Sequence, residues 1–139
     1  MEIILEVEIK GKLFDLKAKP IVDAIKRSVQ TLVEKGEGKL FERLRARPAG
    51  VFLSVAEAGK KATKGHYYRN IQGKVEGLWG VIRDGNVIYG SWLEGIGSRN
   101  ITTRFKGYHS FRLTAQELQQ EAPKIVRKQV EQAMRELNQ

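Results

Sequence analysis

Two long segments with apolar residues at helical spacing lie at opposite ends of the chain, and they constrain its fold more than any other feature. From Ile21 to Leu44 the apolar residues recur every three or four positions, and the same spacing returns between Leu118 and Leu137. This spacing places apolar side chains along one face of an α-helix. The pattern therefore predicts a helix over residues 20–47 and a second one over residues 110–137.

Both patterns contain residues that disfavour a helix. Gly36 and Gly38 interrupt the first, and each costs about 1 kcal/mol relative to alanine, so we expect that helix to bend or loosen there. Pro123 lies inside the second. A proline there removes a hydrogen bond and costs about 3 kcal/mol, which predicts either a kink near Glu121 or a new helix that begins at Pro123.

Strand patterns occupy the start and the middle of the chain. Residues 2–9 alternate acidic and apolar side chains, which is typical of a half-buried strand. The Asp84-Gly85-Asn86 triplet tolerates the positive φ values of a tight hairpin turn. Residues 48–65 are consistent with either a short strand or a loop. The predicted antiparallel strands of the middle region are residues 67–76, 79–83 and 87–94, with a turn near Gly77.

Together these elements predict an α+β fold in which a mainly antiparallel β-sheet packs against an N-terminal helix and a long C-terminal helix. A chain of 139 residues is long enough to bury its own core and is expected to form one domain over residues 1–139. We expect Trp79 to lie in that core, together with one of Trp92 and Leu93, which would occupy opposite faces of the last strand.

The composition argues against several functions. The chain has no cysteine, and its two histidines, His66 and His109, lack the spacing of a metal site. Ser98 near His109 is not set in a nucleophile motif. We therefore expect no enzyme activity, no cofactor and no bound metal. The apolar runs fall far short of the roughly 20 residues of a membrane span, and the N-terminal residues do not resemble a signal peptide.

The net charge is +9, from 25 basic and 16 acidic residues. Such a surplus attracts polyanions, chiefly nucleic acid or an acidic protein surface. The alternative is that scattered lysines only keep the protein in solution.

Residues 95–107 form a predicted contact loop. This segment contains three basic residues, no acidic residue and no apolar period, and a loop of this length in a small domain is usually functional or disordered. Because aromatic residues argue against simple disorder, we interpret the segment as a contact loop. Since it lacks an apolar face and is rich in glycine, we expect it to be mobile in the isolated subunit and fixed on assembly. The predicted contact residues in and beside it are Trp92, Glu94, Arg99, Asn100, Thr103, Arg104, Phe105, Lys106 and Tyr108.

Two kinds of partner fit these residues. Arginines interleaved with aromatic rings can hold phosphates and stack on bases. The same residue types are enriched at protein interfaces. Glu94 could pair with Arg99 or Arg104, or it could end its strand in solvent.

The string YGSWLEGIGSRNITTRFKGYHSF, from Tyr89 to Phe111, and the basic helical segment after it resemble the small neck proteins of long-tailed phages. These are the head-to-tail joining, tail completion or minor tail proteins. In that family a strand ends in a tyrosine, a small residue and an apolar-acidic pair, and a loop rich in glycine and arginine leads into a helix. The resemblance covers the last half of the chain well and the first half only by layout. The matching residues are Tyr89, Gly90, Trp92, Leu93, Glu94 and Gly95.

The resemblance implies a non-enzymatic virion protein that forms a ring between the head and the tail tube of a siphophage. The implied partners are further copies in a ring, with six-fold symmetry as the expectation, the neighbouring neck and tail proteins, and the packaged double-stranded DNA, which passes through without sequence-specific contact. The protein would assemble in the bacterial cytoplasm and end in the neck of the virion. The alternative function is a small basic nucleic-acid-binding protein that acts alone.

Overall fold

The computed structural model describes residues 1–6, 19–45, 66–87 and 90–137. Within these ranges three strands and five helices follow one another along the chain. They are β1 (Glu2–Glu6), α1 (Lys19–Arg45), α2 (His66–Arg69), β2 (Gln72–Glu76), β3 (Trp79–Arg83), α3 (Gly90–Glu94), α4 (Arg99–Thr102) and α5 (Ser110–Leu137). No helix among these residues is long and apolar enough to cross a membrane.

The three strands form one antiparallel sheet in the order β1-β3-β2, with β3 in the centre. Arg83 of β3 lies opposite Glu2 of β1 on one side and opposite Gln72 of β2 on the other. The N-terminal strand is confirmed over residues 2–6, where Ile3 is buried and Ile4 is exposed, and the rest of that prediction lies outside the described residues. With the two long helices, this sheet confirms the predicted α+β fold.

The two long helices run antiparallel and pack against each other and the sheet. Lys35 of α1 pairs with Glu121 of α5, and Arg27, two turns earlier in α1, donates a hydrogen bond to Gln129, two turns later in α5. Strands β1 and β3 and both long helices contribute to one hydrophobic core. Its most deeply buried members include Val29, Leu32, Leu40, Leu44, Ile82, Phe111 and Leu118.

Helix α1 is continuous through Gly36 and Gly38. A β-carbon on Gly36 would overlap the side chains of Ile82 and Leu118. The glycine is therefore required where α1 approaches both β3 and α5, and the packing outweighs its low helix propensity. Gly38 has open space around it.

Helix α5 also continues through its proline, so the prediction of a second helix that begins at Pro123 is wrong. Pro123 is exposed on the side of α5 that faces β1. Thr114 and Glu117 have the spacing of a helix-capping box, but they do not cap the C-terminal helix, because α5 already begins at Ser110. Thr114 is fully buried within α5, and Glu117 pairs with Lys39 and Arg43 of α1.

The predicted strand over residues 67–76 is only partly correct. Residues His66–Arg69 are helical, and the strand begins at Gln72. Tyr67 is 1% exposed, and its hydroxyl donates a hydrogen bond to the buried carboxylate of Asp84. This buried contact overrides the β propensity of the tyrosine pair. The turn at Gly77 and the strand Trp79–Arg83 are confirmed.

The turn at Asp84-Gly85-Asn86 is confirmed by positive φ values at Gly85 and Asn86. The strand predicted after it over residues 87–94 is wrong at residues 90–94, and residues 88–89 lie outside the described part of the chain. Residues Gly90–Glu94 form the short helix α3 instead. Both edges of β3 are already paired, with β1 and β2. A hairpin partner for β3 therefore has no free edge to join, and the chain turns away.

Trp79 is 38% exposed, so its predicted place in the core is wrong. On β3 the buried Gly80 and Ile82 face α1, and Trp79 points to the opposite face of the sheet because strand residues alternate. Leu93 is 2% exposed and belongs to the core, whereas Trp92 is half-buried. The expectation that one of this pair is core is therefore confirmed.

Candidate interaction surface

Residues 95–107, the contact segment, begin and end where the backbones of Gly95 and Gly107 cross. Both glycines have φ near +97° (98° and 97°), a conformation that other residues rarely adopt. A β-carbon on Gly107 would overlap the Gly95 backbone, and one on Gly95 would overlap the Lys106 carbonyl oxygen. The segment is therefore a closed loop with a narrow base.

Glu94, immediately before this base, is 4% exposed and caps the start of α5. Its carboxylate accepts hydrogen bonds from the backbone N–H groups of Phe111 at 2.7 Å and Arg112 at 3.1 Å. The first N–H groups of a helix have no partner within the helix, and negative charge is favoured there. Glu94 thus fixes the contact segment to α5. The sequence suggested two roles for Glu94, an ion pair with Arg99 or Arg104 and a solvated strand end, and both are wrong.

The buried side chain of Asn100 supports the contact segment through hydrogen bonds to backbone groups. Its side-chain amide donates to the carbonyl oxygens of Trp92 at 2.9 Å and Phe105 at 3.1 Å, and its Oδ1 accepts from the Gly97 N–H at 2.9 Å. Asn100 is only 5% exposed. Glu94 and Asn100 were both predicted to contact a partner, but in the folded chain their polar atoms bind backbone groups and position the segment.

Three aromatic rings pack together beside the contact segment, one from within it (Phe105) and two from the residues that flank it (Trp92 and Tyr108). The Phe105 ring lies 4.5 Å from that of Trp92 and meets Tyr108 edge to face at 4.9 Å, measured between centroids. All three residues are half-buried. Phe105 therefore has apolar contacts, although the segment has no apolar period. Whether the segment is mobile in the isolated subunit stays a prediction.

The outer face of the segment combines basic and apolar side chains. Arg99 and Arg104 are exposed, and neither forms an ion pair among the described residues. Beside them Ile101 is 81% exposed and Ile96 is 64% exposed. With no acidic side chain on this face, the guanidinium groups are available to a partner.

Two other predicted contact residues lie on this face and also support the local structure. The exposed Thr103 donates its hydroxyl to the Arg99 carbonyl oxygen at 2.7 Å. Lys106 places its ammonium group 2.8 Å from the Asn100 carbonyl oxygen. The structure therefore brings the nine predicted residues together, with Arg99, Thr103, Arg104 and Lys106 outside and the others forming the support.

Ile96 and Ile101 are the residues that the sequence analysis missed. Each stands alone among polar residues and glycines, so neither contributes to a periodic pattern. An isolated isoleucine in a loop that otherwise lacks aliphatic side chains is the only local signal that could have indicated them. Elsewhere in the described part of the chain, no group of three or more histidine and acidic residues could hold a metal ion.

Comparisons of the chain with protein-family models, curated proteins and solved structures found no match. An assignment of function therefore rests on the contact segment itself and on the resemblance of residues 89–111.

Proposed function

We propose that this protein is a non-enzymatic structural subunit of a phage neck, which forms a ring and joins the DNA-filled head to the tail tube. The observation that carries the proposal is that two features, the family resemblance and the contact segment, occur in the same stretch of the chain. The stretch that resembles the neck-protein family, residues 89–111, includes the contact segment with its exposed arginines and isoleucines.

The exposed isoleucines favour a protein partner over nucleic acid. Ile101 is 81% exposed beside Arg99, and a phosphate backbone offers no apolar surface to cover it. Arginines beside apolar side chains are typical of the cores of protein interfaces. The Phe105 and Tyr108 rings pack against each other instead of standing free for bases to stack on.

The internal bracing also suits an interface. Association becomes weaker when a loop must be ordered on binding. The hydrogen bonds of Asn100 and the cap by Glu94 lie within one subunit, so they support the shape of the segment without a partner. Its exposed side chains can therefore bind with a smaller loss of conformational entropy.

In the proposed ring each subunit repeats one contact with the next, and packaged DNA passes through the centre. The net charge of +9 would ease this passage or match acidic neighbours in the neck. The subunit would assemble in the host cytoplasm and remain in the virion, between the portal side of the neck and the tail.

The test is complementation of a phage that lacks this gene with the Arg99→Ala/Arg104→Ala variant. Both side chains are exposed, so the fold should tolerate their loss. Truncation of charged anchors at an interface costs about 2 kcal/mol or more per contact, and a ring repeats the loss in every copy. We expect separate full heads and finished tails by electron microscopy.

A matched control is Lys124→Ala/Lys128→Ala, which removes the same charge from exposed positions of α5, away from the contact segment. This control should give normal yields of joined virions. Normal yields from the arginine variant would exclude the contact segment as the functional contact.

A second candidate, a nucleic-acid-binding protein that acts alone, is favoured by the basic surplus of the chain. Such a protein binds duplex DNA tightly as a monomer or dimer, with an affinity that falls steeply as salt rises. A gel-shift titration at two salt concentrations separates the candidates, because the proposed neck subunit should bind duplex weakly.

A further inference from the structure

An apolar groove of about 580 Å³ lies between β1 and α5, on the side of β1 that no described strand pairs with. Ile3 and Leu118, both buried, contribute to it. Exposed residues of α5, including Gln119 and Pro123, also line the groove. The other apolar side chains that line it are Ile4, Leu5, Ala115, Ala122 and Val126.

Backbone groups in the groove are also available to a partner. Pro123 has no N–H group, so it cannot supply the helical hydrogen bond to the Gln119 carbonyl four residues earlier. The outer edge of β1 likewise carries backbone groups that no described strand binds. The groove therefore offers apolar contact together with hydrogen-bonding groups.

The charge of the groove is opposite to that of the contact segment. Glu6 is the only ionisable residue among those described as lining the groove. The contact segment carries Arg99, Arg104 and Lys106 without an acidic residue. It also presents Ile101, whose exposed side chain requires an apolar partner surface to become buried.

We propose that the groove between β1 and α5 binds the contact segment of a second copy of this chain, with Ile101 in the groove and the arginines beside Glu6. This inference rests on the proposed ring-forming function and identifies the second half of the contact. The groove and the contact segment are different surfaces of one subunit, so the contact is heterologous and can repeat around an axis.

The segment does not fold back into the groove of its own subunit. The crossing of Gly95 and Gly107 and the hydrogen bonds of Asn100 hold it in place, and in that position Ile101 remains 81% exposed. A neighbouring copy is not restricted in this way.

The absence of cysteine from the chain allows a direct test by disulfide cross-linking. An Ile101→Cys/Gln119→Cys variant places one thiol on the segment and one in the groove. The matched control is Ile101→Cys/Gln120→Cys, because Gln120 is also exposed on α5 but does not line the groove. Both variants are oxidised in joined virions and, as purified protein, at high concentration.

We expect a ladder of disulfide-linked multimers from the Gln119 variant and at least tenfold less cross-linked product from the Gln120 control. No ladder from either variant, or equal ladders from both, would overturn the proposed contact. Single-cysteine Ile101→Cys chains should give little disulfide-linked dimer, because a heterologous contact keeps the two Ile101 positions apart.

A second variant tests the energetics without a cross-link. Ile101→Asp should fold normally, since the side chain is exposed, and should raise the protein concentration needed for self-association at least tenfold in sedimentation velocity. Unchanged self-association would overturn the proposed contact. Complementation by the unmodified chain tests the proposed function separately. Joined virions in which the Ile101→Cys/Gln119→Cys variant forms no cross-link would overturn this inference alone. Failure of the unmodified chain to join heads and tails would overturn the neck function.

Discussion

Gly95 and Gly107 cross at the base of the contact segment so closely that neither residue has room for a β-carbon. Both have positive φ, and the N–H of Tyr108, next to the crossing, donates to the Leu93 carbonyl oxygen at 2.7 Å. The shape of the interaction surface therefore depends on two residues that contribute no side chain to it.

Gly107→Ala should destabilise the protein by about 1 to 3 kcal/mol, because alanine is strained at positive φ and its β-carbon would overlap the Gly95 backbone. Urea unfolding followed by circular dichroism measures the change. Gly38→Ala is the matched control, since it lies in α1 with open space around it and should stabilise the protein by up to about 1 kcal/mol. Equal effects of the two substitutions would contradict the crossing.

Asn100→Asp keeps the size of the side chain but replaces its N–H donors with an acceptor. The new carboxylate oxygen would face the carbonyl oxygens of Trp92 and Phe105 in a buried site. The loss of satisfied buried polar groups should cost about 1 to 3 kcal/mol. Hydrogen exchange should become faster at the amides of residues 96–105. Unchanged exchange would show that Asn100 does not brace the segment.

Trp79→Ala should cost clearly less than the 3 to 5 kcal/mol or so of a fully buried tryptophan, because Trp79 is 38% exposed. Leu118→Ala is the comparison. Leu118 is 0% exposed in the core between α1 and α5, and its truncation should cost about 2 to 5 kcal/mol. A larger loss of stability from the tryptophan variant would mean that the sheet face carrying Trp79 is covered.

The ion pairs between α1 and α5 predict a dependence of stability on pH. Hydrogen bonds from the Lys39 ammonium lower the pKa of Glu117 and Glu121 below the ordinary value of 4.5, with further help from Arg43 and Lys35. A lowered carboxylate pKa stabilises the fold above the unfolded-state pKa, and this contribution disappears as pH falls through the folded-state value. Stability should therefore decrease below about pH 4.5.

Glu117→Gln measures this contribution. These side chains are partly exposed, so the gain should be below about 1 kcal/mol at neutral pH and smaller in high salt. The variant and the parent should become equally stable at acid pH. A difference that stays constant across the titration would show that the pairing is not electrostatic.

Glu37→Gln should behave in the opposite way. Burial raises the pKa of Glu37, the nearby Glu34 raises it further, and the Gly73 N–H opposes the shift. A raised carboxylate pKa means that the ionised form is disfavoured by folding, so the parent gains stability from Glu37 as pH falls through that value. At neutral pH the glutamine variant should be at least as stable as the parent. A clear loss there would contradict the assignment.

The long helices were predictable from sequence because their signal is local. The spacing of apolar residues between Ile21 and Leu44 depends only on the geometry of one helix. Sheet pairing is not local. The prediction of a turn at Asp84-Gly85 was correct, but the hairpin predicted around it does not form. Nothing near this turn in the sequence indicates that β1 already occupies the second edge of β3.

That residues 95–107 contact a partner stays a prediction, and the structural roles of several residues in and beside this segment could not be predicted from sequence. Glu94 caps α5 from a position 17 residues before Phe111, so no capping pattern within the helix could indicate it. Ile101 has no periodic partner, and its exposure depends on how Asn100 orients the segment. Residue types thus predicted a candidate contact segment, and the fold determines which of its side chains are exposed.

The close packing at Gly36 has a mechanical consequence. Ile82 and Leu118 fill the space beside this glycine from two sides, so α1 cannot slide along the sheet without displacing α5. A force applied to the contact segment would be transmitted to α5 through the hydrogen bonds of Glu94. Through α5 it would reach the packing of Leu118 against Gly36. Under tension such a subunit would behave as one stiff block, and its contacts with neighbours would yield before its helices shear.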